Sequence, residues 1–371
     1  MKSIFGDWRK KTNCDNGKEW KMASFNRRRY LQIGLSGGAA AFAGAVGLRA
    51  QDKEPSDAKL IDARTRRSIN RGLSYLASRQ NDDGSMRTVG YGGNVAVCSL
   101  TGMAFMSTGS TPGRGRYGLH VNRSVDFILD CVQPSGFIST TRTASHGPMY
   151  GHGFAALFLA EVYGMSPNPL VREKLTKAIQ LIVNTQNEDG GWRYQPQRKD
   201  ADISVTICQV MALRAARNAG VYVPNETIDR CIEYVKKCQN PDGGFMYMLS
   251  QPGDSRFPRS AAGVVALYSA GIYEGPELER GLAYLRRYPP SVVTSRRHGH
   301  FFYGHYYAVQ AMWHAGGDDF KQWYGAIRDL LIERQDEENG SWNDEIAVEY
   351  GTAMACIVLQ MPNSYLPIFQ R

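Results

Sequence analysis

Three sets of residues have types and spacings suited to acid–base chemistry. The segment "DADIS" sets Asp200 and Asp202 two apart at the start of an apolar helical stretch. Such a carboxyl either carries a proton, if burial keeps it protonated, or caps the helix, worth about 1 kcal/mol. The segments "MYGHGFA" and "FYGHYYA" repeat one Tyr-Gly-His corner, pairing Tyr150 with His152 and Tyr303 with His305. Tyr and His act as general acid and base when their surroundings shift them; the structural alternative is a His bonded to backbone at a glycine corner, with the Tyr filling the space above. Arg259 offers a positive charge for an anionic ligand. Asn94, Glu349 and Tyr350 open other apolar stretches, and Phe154, Phe158, Tyr268, Tyr307 and Trp313 add deeper aromatic surface. A polar rim over an aromatic wall suits an amphipathic or ring-shaped ligand. His298, His300 and His305 lie near one another in sequence, but the stretch after "RR" reads as a loop, so no metal is assigned and the cofactor stays unknown.

A repeat must position these groups. "RGLSYLASRQNDDGSM", "RSVDFILDCVQPSGF", "KAIQLIVNTQNEDGGW" and "RCIEYVKKCQNPDGGF" end on Gln80, Gln133, Gln186 and Gln239, a period of 53. "RGLAYLRRYPP" is a degenerate fifth copy and "AIRDLLIERQDEENGSW" a sixth, ending on Gln335. Each copy is an amphipathic helix, and most stop at a glycine able to take the left-handed conformation. A large side chain follows: Met86, Phe137, Trp192, Phe245 or Trp342. The Gln can bond open backbone at the corner while the large residue covers the gap between helices. Between the corners run stretches apolar nearly all round, such as "YGHGFAALFLAEVYG", which read as buried inner helices. Six outer/inner pairs at about fifty residues each fill the chain from Ile61. The expectation is an all-α, (α/α)6 toroid over residues 65–371, its cavity lined by the inner helices and their N-terminal ends, with an open superhelix as the alternative. In a closed ring the two Tyr-Gly-His corners face each other across the mouth.

Charge narrows the partners. Of 44 Lys/Arg and 35 Asp/Glu, the first fifty residues hold 10 and 3, leaving 34 against 32. So near-neutral a remainder argues against nucleic acid. Arg27, Arg28, Tyr30 and Leu31 precede the Gly/Ala-rich stretch Ile33 to Leu48. Residues 1–50 thus resemble a twin-arginine export leader, with 51–64 as linker, Met22 an alternative start and a retained membrane anchor the alternative fate. That implies the twin-arginine export machinery as partner and an extracytoplasmic product; a monomer is the separate expectation. Seven cysteines without a CxxC pair suggest neither a zinc ribbon nor a redox pair.

The pattern [KR]-[GA]-x-x-[YF]-L-x-x-x-Q-x-x-x-G-x-W resembles the QW repeat of squalene-hopene and oxidosqualene cyclases and the related repeat of protein prenyltransferase beta subunits. The chain is similar to exported bacterial prenyltransferase/squalene oxidase repeat proteins. The resemblance implies the toroid and a lipid or isoprenoid ligand in its cavity. Cyclases of this kind protonate their substrate with an Asp in D-x-D-D-T-A. Setting "DADIS" on that motif leaves Ile203 on one carboxylate position; anchoring on Thr206 leaves Ser204 on the acid, so hopene-type cyclisation is not implied. Prenyltransferase zinc is not implied either, because Asp229 and Cys231 fall on an outer helix. Two other readings stay open: a toroid polysaccharide lyase or glycosidase holding a carbohydrate, with Tyr, His and Arg at the sugar, and a non-catalytic binding scaffold.

Overall fold

The computed structural model describes residues 60–140, 147–166, 168–293 and 299–370. The expected leader and most of the linker lie outside them. Twelve α-helices make up the described residues: α1 (Ala63–Arg79), α2 (Val95–Met106), α3 (Gly118–Asp130), α4 (Pro148–Tyr163), α5 (Leu170–Thr185), α6 (Ile203–Asn218), α7 (Asn225–Lys237), α8 (Phe257–Ser269), α9 (Pro276–Arg286), α10 (Phe301–Ala315), α11 (Gly317–Glu333) and α12 (Val348–Leu359). Among these residues there is no strand, only isolated bridges at corners, and no helix long and apolar enough to cross a membrane.

Odd-numbered helices are outer and even-numbered ones inner, as burial shows. On α7, Ile228, Cys231, Tyr234 and Val235 are buried on one face and charged residues occupy the other. On α2, every residue but Ala96 is buried. Each inner helix packs on the next, and α12 packs back on α2, so the ring closes. The closure has its own bonds. Gln335 Nε2 donates to the Ser68 carbonyl at 2.9 Å, and Glu349 of α12 accepts from Arg79 Nε at 2.9 Å and Tyr75 at 3.1 Å on α1.

The corners explain the repeat. Gln186 Nε2 donates to the Gly190 carbonyl of its own turn (2.8 Å) and the Thr227 carbonyl at the start of α7 (2.9 Å). Gln239 does the same with Gly243 and Glu277, and Gln335 with Gly340 and, across the seam, Ser68. Each Gln therefore ties one outer helix to the next. The glycine sits at φ +100° in Gly190, where an added Cβ would strike the Arg230 carbonyl of the following helix. Trp192 and Trp342 are buried and donate Nε1 to the Ile182 and Leu331 carbonyls at 2.8 and 2.7 Å.

The second corner departs from the expected register. Val132 bridges to Ile138 as Gln80 does to Met86 and Gln239 to Phe245, so Val132 fills the glutamine slot and Ile138 the slot given to Phe137. Gln133 is exposed and donates to Ser139 Oγ, not to the backbone of the next outer helix among the described residues. The corner glycines Gly84, Gly136, Gly190 and Gly243 are spaced 52, 54 and 53 apart, not at a uniform 53.

After α12 the chain forms two 3-10 turns (Met361–Asn363 and Pro367–Phe369) and lies across the C-terminal ends of the inner helices. Trp313 Nε1 donates to the Phe369 carbonyl (2.6 Å) and Ile368 N to Glu161 (3.2 Å). This segment floors the ring.

Candidate functional site

At the other end, where the inner helices begin, lies a cavity of about 890 Å³. All six inner helices or their leading residues reach it: Asn94, Ala96 and Val97 at α2, Tyr150 and Phe154 on α4, Ser204 on α6, Arg256 and Arg259 at α8, His300 and Tyr303 at α10, Ile346 and Tyr350 at α12. Tyr91 and the corner residues Tyr194 and Tyr247 complete much of the wall. Among the described lining residues are six tyrosines, a phenylalanine and two arginines, and no carboxylate. Helix N-termini add positive potential to the same rim.

Local chemistry fixes these groups. Asn94 caps α2, its Oδ1 accepting from the Ala96 and Val97 amides at 2.9 and 3.4 Å. Tyr303 donates to the Ser204 carbonyl, both on the cavity wall (2.9 Å), and meets Tyr307 edge-on at 4.8 Å. Tyr194 and Tyr247 share a 2.5 Å hydrogen bond. The Arg193 guanidinium lies over both rings, 4.9 and 5.9 Å from their centroids, and Arg259 over Tyr247 at 6.0 Å. Arg259 donates to the Asp254 carbonyl, and burial, then Arg256 beside it, lowers its pKa.

The two aspartates separate. Asp200 is half exposed and pairs with Arg193 at 2.5 Å. Asp202 is fully buried and caps α6, Oδ1 accepting from Val205 N at 2.8 Å. Its Oδ2 stands 3.9 Å from Arg193 Nε, and the Tyr247 hydroxyl lies beside the carboxyl. Burial pushes the Asp202 pKa to about 7, against the Val205 amide and Arg193. The carboxyl does not reach the cavity surface; Tyr150, Tyr303 and Tyr247 line the cavity around it.

The Tyr-Gly-His corners split in the same way. Tyr150 and Tyr303 line the cavity, while both histidines are buried on the outer side of their helices. His152 Nδ1 accepts from Ile138 N at 3.1 Å. That is the bond Trp192 N makes to Thr206 Oγ1, Phe245 N to Ser260 Oγ and Trp342 N to Thr352 Oγ1. His152 is thus the corner clip of α4, and burial pulls its pKa down to about 4, opposed by the Ala178 backbone. His305 packs on Phe301, Phe257 and Trp323 at 4.5, 5.2 and 6.2 Å. The histidines do not face each other across the mouth, because their position on the helix points into the wall.

Of the other expected residues, Asn94, Phe154, Arg259 and Tyr350 line the cavity. Tyr307 is buried behind it, 3.4 Å from Cys208 Sγ; Glu349 belongs to the ring seam and Trp313 to the floor. Sequence reading missed Tyr194, Tyr247 and Arg256. The first two follow Trp192 and Phe245 by two residues in successive repeats, a signal that was there to use. His300 bonds Glu345 at 2.8 Å and His298 lies outside the described residues. Among the described residues no group of three His, Cys, Asp or Glu could hold a metal.

A family model, the prenyltransferase alpha-alpha toroid domain, matches residues 58–177 and 164–288. Drimenyl diphosphate synthase from Streptomyces showdoensis is 23% identical over 190 residues, 51% of this chain and 34% of that protein, so the chain spans about a third of its length. Among solved structures, the type II terpene cyclase MstE from Scytonema superposes with a TM-score of 0.57 at 17% identity, covering 82% of this chain and 99% of that one. A variant of that cyclase in complex with geranylgeranyl dihydroxybenzoate gives 0.55 at 16%, covering 84% and 99%. An inactive variant of the α-1,6-mannanase GH76A of Salegentibacter, in complex with mannotetrose, gives 0.59 at 8%, covering 80% and 98%. At these identities the superpositions speak for the fold alone. The family match spans more than half of the sequence, and the chain belongs to the prenyltransferase α-α toroid family.

Proposed function

We propose that the cavity binds an isoprenoid or similar lipid, apolar body against Tyr150, Phe154 and Tyr350, polar or anionic head toward Arg256 and Arg259. The observation that carries this reading is the lining: aromatic all round, two guanidiniums at one side, no carboxylate among the described residues. Its volume falls in the range of small-molecule sites. The relative named drimenyl diphosphate synthase, and the terpene cyclase in complex with geranylgeranyl dihydroxybenzoate, support the same ligand class.

Transformation of the ligand by hopene-type protonation does not follow. A general acid must reach the atom it protonates. Asp202 holds its proton to about pH 7 but is fully buried. A glycosidase reading draws on the mannanase likeness, yet its two carboxyls flanking one bond have no counterpart on the described lining. We further propose, from the Arg27-Arg28 leader, that the protein acts outside the cytoplasm; retention of an Arg27→Lys/Arg28→Lys variant in the cytoplasmic fraction is the expected result.

The test is native mass spectrometry of lipids copurifying with the full chain, then binding of geranylgeranyl diphosphate. Phe154→Ala and Arg259→Ala each weaken binding at least tenfold if the reading holds. Saturable binding of a mannooligosaccharide with none of the lipid would overturn it.

A further inference from the structure

One ionisable pair at the cavity is used neither by the ring nor by the lipid reading. His300, which lines the cavity, accepts or donates at Nδ1 to Glu345 Oε1 over 2.8 Å, and both side chains stay accessible. Nε2 has no partner among the described residues. The backbone of His300 is left-handed, at φ +43° and ψ +51°, which is uncommon for a residue with a side chain. An exposed ion pair contributes little to stability, so folding does not account for this arrangement. Such backbone outliers gather where a side chain has to be aimed.

The two arginines of the lining are its neighbours. A Cβ on Gly304, one turn into α10, would meet Phe257 at 2.8 Å and the Pro258 Cα at 3.4 Å. Pro258 stands between Arg256 and Arg259 in α8, and the His300 carbonyl accepts from the Gly304 amide. The imidazole and both guanidiniums therefore belong to adjacent helix starts on one cavity wall. Arg259 donates to the Asp254 carbonyl, while its Nε is buried without a hydrogen-bond partner among the described residues. Two adjacent cations, neither in an ion pair with a carboxylate among the described residues, fit a head with several negative charges better than a single carboxylate or an ester.

We propose that His300 and Glu345 form a general-base dyad that hydrolyses the terminal phosphate of an isoprenoid diphosphate held by Arg256 and Arg259. This rests on the ligand reading above and adds a reaction to it. The Glu345 carboxylate accepts from Nδ1–H and fixes the tautomer, so Nε2 carries the lone pair. Nε2 takes a proton from water as the water oxygen bonds to the terminal phosphorus. The bridging P–O bond breaks, and its electron pair leaves with the isoprenoid monophosphate. Inorganic phosphate is the second product, and the imidazolium passes its proton to solvent. A phosphate monoester leaves as a stable anion, so the step needs a base and no second acid. The guanidiniums meet the charge on the transferring phosphoryl group.

The test measures inorganic phosphate released from geranylgeranyl diphosphate by the full chain, beside calorimetric binding of its non-hydrolysable methylene-bridged diphosphonate analogue. The parent is expected to release one phosphate per diphosphate and stop at the monophosphate. His300→Gly suits the left-handed backbone and should melt no lower than the parent. It should bind the analogue within about twofold yet release phosphate at least a hundredfold more slowly, with partial rescue by added imidazole. Glu345→Gln should lower kcat at least tenfold and leave KM unchanged, since that residue positions the imidazole without touching substrate. The dyad is overturned, with the ligand reading intact, if the analogue binds and the parent releases no phosphate. It is overturned equally if His300→Gly releases phosphate as the parent does, or if Glu345→Gln changes only KM. Absence of both binding and release overturns the two readings together.

Discussion

The corners on the outer shell and the rim of the cavity are built from the same repeat and obey different demands. At a corner, polar side chains are spent on backbone: Gln186 on two carbonyls, Asp202 and Thr206 on amides, Trp192 on the Ile182 carbonyl. At the rim, two residues beyond the same corners, Tyr194 and Tyr247 bond each other and leave their faces to the cavity. Within one helix turn the contrast recurs, since Tyr150 faces the ligand space and His152 clips the wall. A residue type suited to catalysis is therefore no guide by itself; the side of the inner helix decides.

Substitutions can break that contrast. Trp192→Ala should cost the most, about 4 kcal/mol by denaturant unfolding, from the lost core volume and the orphaned Ile182 carbonyl. Gly190→Ala should follow at roughly 1–3 kcal/mol or more, because its φ is +100° and its Cβ meets the Arg230 carbonyl.

Two buried titratable groups, Asp202 and His152, give opposite pH slopes. The folded-state pKa of Asp202 lies above its ordinary value, so the folded state binds more protons and stability falls as pH rises from about 4 to about 7. Asp202→Asn keeps the cap and should gain roughly 2–4 kcal/mol over the parent at pH 8, and little at pH 4. His152 is depressed to about 4, so the parent loses stability as pH falls from about 6.5 toward 4; His152→Thr, the residue used at 206 and 352, should flatten that limb. Thermal melts across pH read both, and equal slopes in parent and variants would sink the assignment. The smallest stability change belongs to the rim: Tyr350→Phe should shift unfolding by under about 1 kcal/mol while lowering affinity for geranylgeranyl diphosphate, measured by calorimetry.

Much of the frame was legible because each repeat satisfies its own local rules. Amphipathic stripes marked the outer helices, apolar runs the inner ones, and Gln-x-x-x-Gly the corners. Failure came where local pattern was ambiguous by one residue, as at Gln133, whose slot Val132 takes, since the turn Pro134-Ser135-Gly136 fixes register from its glycine. For the site, Asn94, Tyr150, Arg259, Tyr303 and Tyr350 were identifiable as rim residues and Phe154 as a deeper aromatic one. Glu349 and Trp313 were misplaced because their partners, Arg79 and Phe369, are 270 and 56 residues away.

By itself, then, the sequence determined an all-helical repeat of paired helices, because hydrophobic period, cap and glycine act over a few residues and need no distant partner. Only the tertiary structure decided which ionisable groups face the cavity. That choice depends on the rotation of each inner helix, set by packing on two neighbours at once, and on the seam where Gln335 and Glu349 join the last pair to the first.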